Sequence, residues 1–146
     1  MSVLVTGGFG LIGSALTRML VERGEKVSLM DINLRPAKIA GINDRVTVFP
    51  GDVSNFAKVL ETVKEASPRA IFHLAAMLSL PSNADPQSSF STNVVGTYHV
   101  LEAARLFKIP KVIFASTTAT YGIDIEGPVI NDRTLQRPIT MYGSTK

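Results

Sequence analysis

Thr6-Gly7-Gly8-Phe9-Gly10-Leu11-Ile12-Gly13 is the stretch on which the reading of this chain turns. It follows Ser2-Val3-Leu4-Val5, a short apolar and β-branched run of the kind that forms a buried strand. Glycines at 7, 10 and 13 have the spacing of a dinucleotide-binding turn. Gly7 makes the tight turn, Gly10 lets the backbone approach a pyrophosphate, and Gly13 lets a helix pack close to the strand. That helix, expected over residues 11–23, presents the amides of Leu11 and Ile12 and its positive dipole end to phosphate. The strand before and the helix after give the glycine triplet its meaning. A second strand, 26–30, ends at Asp31, eighteen residues beyond Gly13. An acid at that strand tip accepts hydrogen bonds from the adenosine ribose and repels a 2'-phosphate, which favours NAD over NADP. Arg35 is close enough in sequence to keep NADP as the lesser alternative.

Outward from this unit, strands and helices alternate. A strand is expected at 45–49, followed by a turn at Pro50-Gly51 and a helix capped by Ser54, with Phe56, Val59, Leu60 and Val63 on its buried face. Pro68 ends that helix, and a strand runs over 69–74. Asp85-Pro86 opens a long helix reaching residue 107. Ile109-Pro110 breaks it before a strand at 111–115, and Pro138 offers a start for a last helix of about two turns. Five strands joined by helix-length crossovers imply an α/β domain, a doubly wound parallel sheet with ligand across the carboxyl ends of its strands.

Composition sets bounds on function. The 146 residues suffice for one domain, and 45% hydrophobic residues suffice for a core. A net charge of +3, without a basic block or interleaved aromatics, argues against nucleic acid as a partner. No cysteine is present, which excludes disulfides and thiolate ligands and suits a reducing cytoplasm. The N-terminus reads as strand and helix rather than a signal peptide, and no apolar run is long enough to cross a bilayer. His73 and His99 lack companion ligands; both have a structural reading, and no metal site is expected.

At the other end, Tyr142-Gly143-Ser144-Thr145-Lys146 places a phenol and an ammonium four positions apart. On a helix they share a face, and a nearby cation favours the phenolate. Such a pair also occurs on ordinary solvated helices; company with the glycine turn gives it weight.

With these motifs in order, the chain resembles the extended, epimerase/dehydratase-like branch of the short-chain dehydrogenase/reductase superfamily. The resemblance rests on the glycine turn, Gly51-Asp52-Val53, His73-Leu74-Ala75-Ala76, Asn93-Val94-Val95-Gly96-Thr97, Ser116-Thr117-Thr118-Ala119-Thr120-Tyr121-Gly122 and Tyr142-Gly143-Ser144-Thr145-Lys146. It implies a Rossmann fold and NAD as cofactor. Asp52 would face the adenine amino group with Val53 beside the ring; Leu74, Ala75 and Ala76 would let ribose and nicotinamide approach the backbone; Asn93 would brace the active-site backbone. Thr117 aligns with the catalytic hydroxyl, with Ser116 its nearest competitor. Tyr142 would move the substrate proton, and Lys146 would stabilise the phenolate and bind the nicotinamide ribose.

The implied reaction is hydride transfer at a carbinol carbon, and the same residues serve an epimerase (isomerase) or a dehydrogenase (oxidoreductase). Family dehydratases carry Asp-Glu where this chain has Thr118-Ala119, so elimination of water from a sugar is not expected. Three functions stand open: an epimerase of a nucleotide sugar, a dehydrogenase of a small hydroxy acid, amino alcohol or sugar acid, and a non-catalytic dinucleotide-sensing module. Family members continue beyond the lysine into more sheet and a substrate domain. Residues 1–146 are therefore expected to be the nucleotide-binding part of a longer enzyme, inactive alone, whose complete form is a homodimer pairing the long helix with the helix of the catalytic tyrosine.

Overall fold

A computed structural model describes residues 2–123 and 129–146. Five parallel strands form one sheet in the order β3-β2-β1-β4-β5: β1 (Ser2–Thr6), β2 (Val27–Asp31), β3 (Val46–Pro50), β4 (Pro68–His73) and β5 (Val112–Phe114). The expected doubly wound sheet is present. Its order changes direction at β1, which places the glycine turn at the crevice where such sheets bind ligands.

Side-chain alternation along the strands sorts the core into two layers. Leu4, Met30 and Ile71 pack with Val59 and Val63 of α2 (Phe56–Ala66) and with Val100 and Ala103 of α5 (Gly96–Leu106). Val5 and Leu29 point to the opposite face, where they meet Phe9, Val21 of α1 (Leu11–Glu22) and Ile39. Each such buried aliphatic side chain contributes about 1.5–3 kcal/mol. Together the two layers fix the heights of the strand tips, and those tips carry the site.

Several local expectations are corrected. The cap of α2 is Asn55, whose Oδ1 accepts from Lys58 N–H at 3.1 Å; Ser54 instead donates its N–H to Asp52 Oδ1 at 2.8 Å, so the turn is one residue longer than expected. Pro68 is the first residue of β4, and α2 ends against Ser67 in left-handed backbone, φ 41°. A short helix, α3 (Ser79–Ala84), occupies what read as loop.

The long helix from Asp85 is not uniform. Asp85 caps α4 (Pro86–Ser89) as expected, but Phe90–Val95 widens into a π-helical segment before α5 resumes the α-form. The last helix, α6 (Met141–Thr145), starts from Thr140 rather than Pro138, because Thr140 Oγ1 accepts from Gly143 N–H at 3.0 Å. Among the described residues no helix is long and apolar enough to cross a membrane.

Candidate functional site

The glycine turn is a cradle made by exclusion. Gly7 has φ 71°, and a Cβ there would lie 2.7 Å from Ala75 N. A Cβ on Gly13 would overlap the Gly7 carbonyl oxygen. Gly10 caps α1 through its backbone alone, the first helical bond running from Ser14 N–H to Gly10 O at 2.9 Å. The amides of Leu11, Ile12 and Gly13 precede that bond and are left for an external acceptor. Leu11 and Ile12 are exposed at 83% and 64%, so this helix end is open to a ligand. A backbone cradle, a helix N-terminus and exclusion of Cβ atoms suit a pyrophosphate.

Asp31 stands at the tip of β2 beside the turn. Its Oδ2 accepts from Phe9 N–H at 2.9 Å and its Oδ1 from Asn33 N–H at 2.9 Å. Each carboxylate oxygen retains a further lone pair for a ribose hydroxyl. In register with Asp31 is Pro50, so residues 51–53 emerge at the neighbouring tip. There Asp52 and Val53 follow, Val53 being buried.

At the opposite side of β1 lies a connected polar network, of which sequence reasoning recovered only Asn93. His73 is 1% exposed at the end of β4. Its Nδ1 is 2.7 Å from Thr6 Oγ1, and its Nε2 is 3.0 Å from Thr97 Oγ1. Thr97 donates its own proton to Asn93 O, so it accepts from Nε2–H, and Nδ1 accepts from Thr6. Burial, with the nearby Lys146 charge, lowers the His73 pKa from 6.5 to about 4. The ring is therefore neutral with its proton on Nε2. Thr6 in turn accepts from Ala75 N–H at 3.3 Å, tying the network to the strand extension that holds Leu74, Ala75 and Ala76.

Asn93, 2% exposed, is the second hub. Its Oδ1 accepts from Met77 N–H at 2.8 Å, while Nδ2 donates to Met77 O at 3.1 Å, to Thr145 Oγ1 at 2.9 Å and, more weakly, to Ser89 Oγ at 3.4 Å. The π-helical widening surrounds this residue, in keeping with the concentration of such segments at functional sites. One amide thus joins the backbone after β4 to α6.

The segments that carry Thr117, Tyr142 and Lys146 meet in that same region. Thr117 Oγ1 starts the 3-10 turn Thr118–Thr120 by accepting from Ala119 N–H at 3.3 Å. A Cβ on Gly143 would overlap the Ala119 carbonyl oxygen, so α6 rests directly on the turn that begins at Thr117. Gly143 was not singled out from the sequence, where its position inside the Tyr-to-Lys interval was the available signal. Ser116, the competing hydroxyl, is exposed. Lys146 Nζ sits 4.2 Å above the Phe114 ring, and burial holds its ammonium below the ordinary lysine value. Phe114 in turn lies against His73, with ring centroids 5.9 Å apart. A cation over an aromatic face is attracted by the ring quadrupole. Among the described residues there is no cluster of His, Asp and Glu able to hold a metal ion.

Comparison with known proteins agrees with this fold. The model of the NAD dependent epimerase/dehydratase family matches residues 3–146. UDP-glucose 4-epimerase of Lacticaseibacillus casei is 33% identical over the whole chain, and D-erythronate dehydrogenase of Cupriavidus necator is 35% identical over the whole chain. The chain spans 44% and 47% of their lengths. A crystal structure of Thermus thermophilus UDP-glucose 4-epimerase in complex with NAD superposes with a TM-score of 0.90 at 33% identity, over 100% of this chain and 47% of that one. The chain belongs to the NAD dependent epimerase/dehydratase family.

Proposed function

We propose, for this member of the NAD dependent epimerase/dehydratase family, that the protein binds NAD across the tips of β3, β2, β1 and β4. On this reading it belongs to an epimerase or dehydrogenase acting at a carbinol carbon, most simply that of a nucleotide sugar. The observation that carries the reading is the glycine cradle after β1 together with α6 resting on the turn after β5, both at the carboxyl edge of one parallel sheet. The amides of Leu11 and Ile12 would hold the pyrophosphate, with Gly7, Gly10 and Gly13 keeping the space clear. Asp31 would hold the adenosine ribose, Asp52 and Val53 the adenine, and the backbone at Leu74, Ala75 and Ala76 the nicotinamide half, braced by Asn93.

When bound, NAD supplies a hydride acceptor beside the substrate carbon. The chain's own residues do the rest. Thr117 holds the substrate oxygen by hydrogen bonding, and Tyr142 removes the proton from that oxygen. Lys146, partly desolvated, stabilises the phenolate and reaches a ribose hydroxyl. Its present seat over Phe114 keeps it within the site.

A nucleotide sugar is favoured because the relatives include UDP-glucose 4-epimerases. The similarity to D-erythronate dehydrogenase supports a sugar-acid dehydrogenase as the second reading. A homodimer is the assembly proposed for the whole protein, through the exposed side of the long helix, where Phe90, Tyr98 and Leu101 lie at 51%, 61% and 50% exposure. A sensing module is disfavoured by the presence of all three catalytic side chains.

Binding and turnover test the proposal on the full-length protein. NADH should bind more tightly than NADPH, because Asp31 opposes a 2'-phosphate. Equal or reversed affinity would remove Asp31 from that role and bring Arg35 forward. With NAD present, substrate turnover without accumulation of NADH at 340 nm identifies an epimerase, and stoichiometric NADH identifies a dehydrogenase.

A further inference from the structure

His99 is half-buried on α5, away from the catalytic group, and makes two directed contacts. Its Nδ1 is 3.0 Å from Val53 O, which accepts the ring proton. Its ring stacks on Phe56, with centroids 4.9 Å apart and planes 25° from parallel. Phe56 is the first residue of α2, so both contacts fall on the single turn that links β3 to α2. A third contact comes from the same helix: a Cβ on Gly96 would lie 2.7 Å from Val53 Cγ2, so Val53 is seated against bare backbone. Asp52 sits between the clamped residue and β3, with Oδ1 held by Ser54 N–H.

The location gives the clamp a purpose. A dinucleotide whose pyrophosphate lies on α1 and whose ribose lies on Asp31 extends its adenine toward the next strand tip, that of β3. Pro50 is the register partner of Asp31, so the next residues, 51–53, are the chain that the base meets.

We infer that His99 is a positioning residue for the adenine end of the cofactor, holding the turn of residues 51–56 so that Asp52 meets the exocyclic amino group and Val53 meets the ring. This rests on the NAD reading above and adds to it the residue that holds the base-reading turn in place. The base reader works only while the turn is held, because a carboxylate displaced by an ångström no longer accepts a hydrogen bond.

The test compares NADH with nicotinamide hypoxanthine dinucleotide in reduced form, which lacks the adenine amino group, by titration calorimetry on the full-length protein and on three variants. The unaltered protein should prefer NADH by about fivefold, the worth of one hydrogen bond. His99→Phe keeps a ring against Phe56 and loses the N–H donor; its preference should fall below about twofold, with NADH affinity reduced and analogue affinity little changed. His99→Gln restores a donor and should restore most of the preference. Phe56→Leu leaves the donor but removes the stack, and should give an intermediate loss, which keeps the inference testable if His99→Phe does not fold. Equal weakening toward both dinucleotides, or an unchanged preference in His99→Phe, would overturn the inference by reducing His99 to a structural contact. Failure of the unaltered protein to bind either dinucleotide would overturn the NAD reading itself, and is told apart because no variant is needed to see it.

Discussion

The glycine turn after β1 and the Tyr142–Lys146 segment are both short motifs, yet they are held in different ways. The turn is closed mostly by near neighbours in sequence, Gly13 against Gly7, Gly10 N–H on Gly7 O at 3.0 Å and Phe9 N–H on Asp31 twenty-two residues away, with one distant contact, Gly7 against Ala75 after β4. Helix α6 has five residues and borrows nearly all of its placement from afar. Asn93 reaches Thr145 across fifty-two residues, Gly143 rests on Ala119 O, and Met141 N–H donates to Asn83 Oδ1 at 3.1 Å. A helix this short has no stability of its own, so its geometry is a property of its contacts. On the proposed reading, cofactor capture rests mainly on local contacts and the chemistry mainly on assembled ones.

The contrast can be broken most severely at the phenol. Tyr142→Phe should lower kcat of the full-length protein by about 10²–10⁴-fold while NADH affinity stays within a factor of about two. Retained turnover would remove Tyr142 from proton transfer. Next in size is Gly143→Ala, whose added methyl collides with the Ala119 carbonyl. Because that collision shifts Tyr142 relative to Thr117, kcat should fall about 10²-fold with cofactor binding preserved. Gly13→Ala should do the reverse, weakening NADH by about tenfold or more through displacement of α1, as overpacking costs about 1–3 kcal/mol. If the two glycine variants fail in the same way, the separation of capture from chemistry does not hold.

A last prediction concerns acid stability rather than activity. His73 has its folded pKa depressed from 6.5 to about 4, so its neutral form is the folded form. The unfolded chain binds the proton first, and the stability that His73 contributes is complete above pH 6.5 and is lost as pH falls toward 4. The loss is on the order of 3 kcal/mol at about 1.36 kcal/mol per unit. Urea unfolding from pH 7 to 4 should show this limb in the native protein and a shallower one in His73→Gln. Parallel limbs would mean that His73 is not the titrating group.

Much of this was legible in the chain because the signals are local. Glycine spacing, the apolar run before it and an acid at the next strand tip describe backbone geometry that few other residues allow. The alternation of strands and helices then implied the parallel sheet. Less legible were the cap at Asn55, where adjacent Ser54 and Asn55 are equally able to cap, and the start of α6, where Pro138 competes with Thr140. The π-helical widening at Phe90–Val95 had no compositional mark. His73 and His99 read as packing residues, because a lone histidine says nothing about what stands opposite each ring nitrogen.

The sequence by itself determined the sheet, the cradle and the inventory of reactive groups, since these follow from side-chain periodicity and steric freedom within short windows. Only the tertiary structure decided which carbonyl Gly143 must clear, which tautomer His73 holds and which turn His99 clamps. Those depend on hydrogen-bond partners brought together over tens of residues, and a directional bond is set by where both of its ends come to rest.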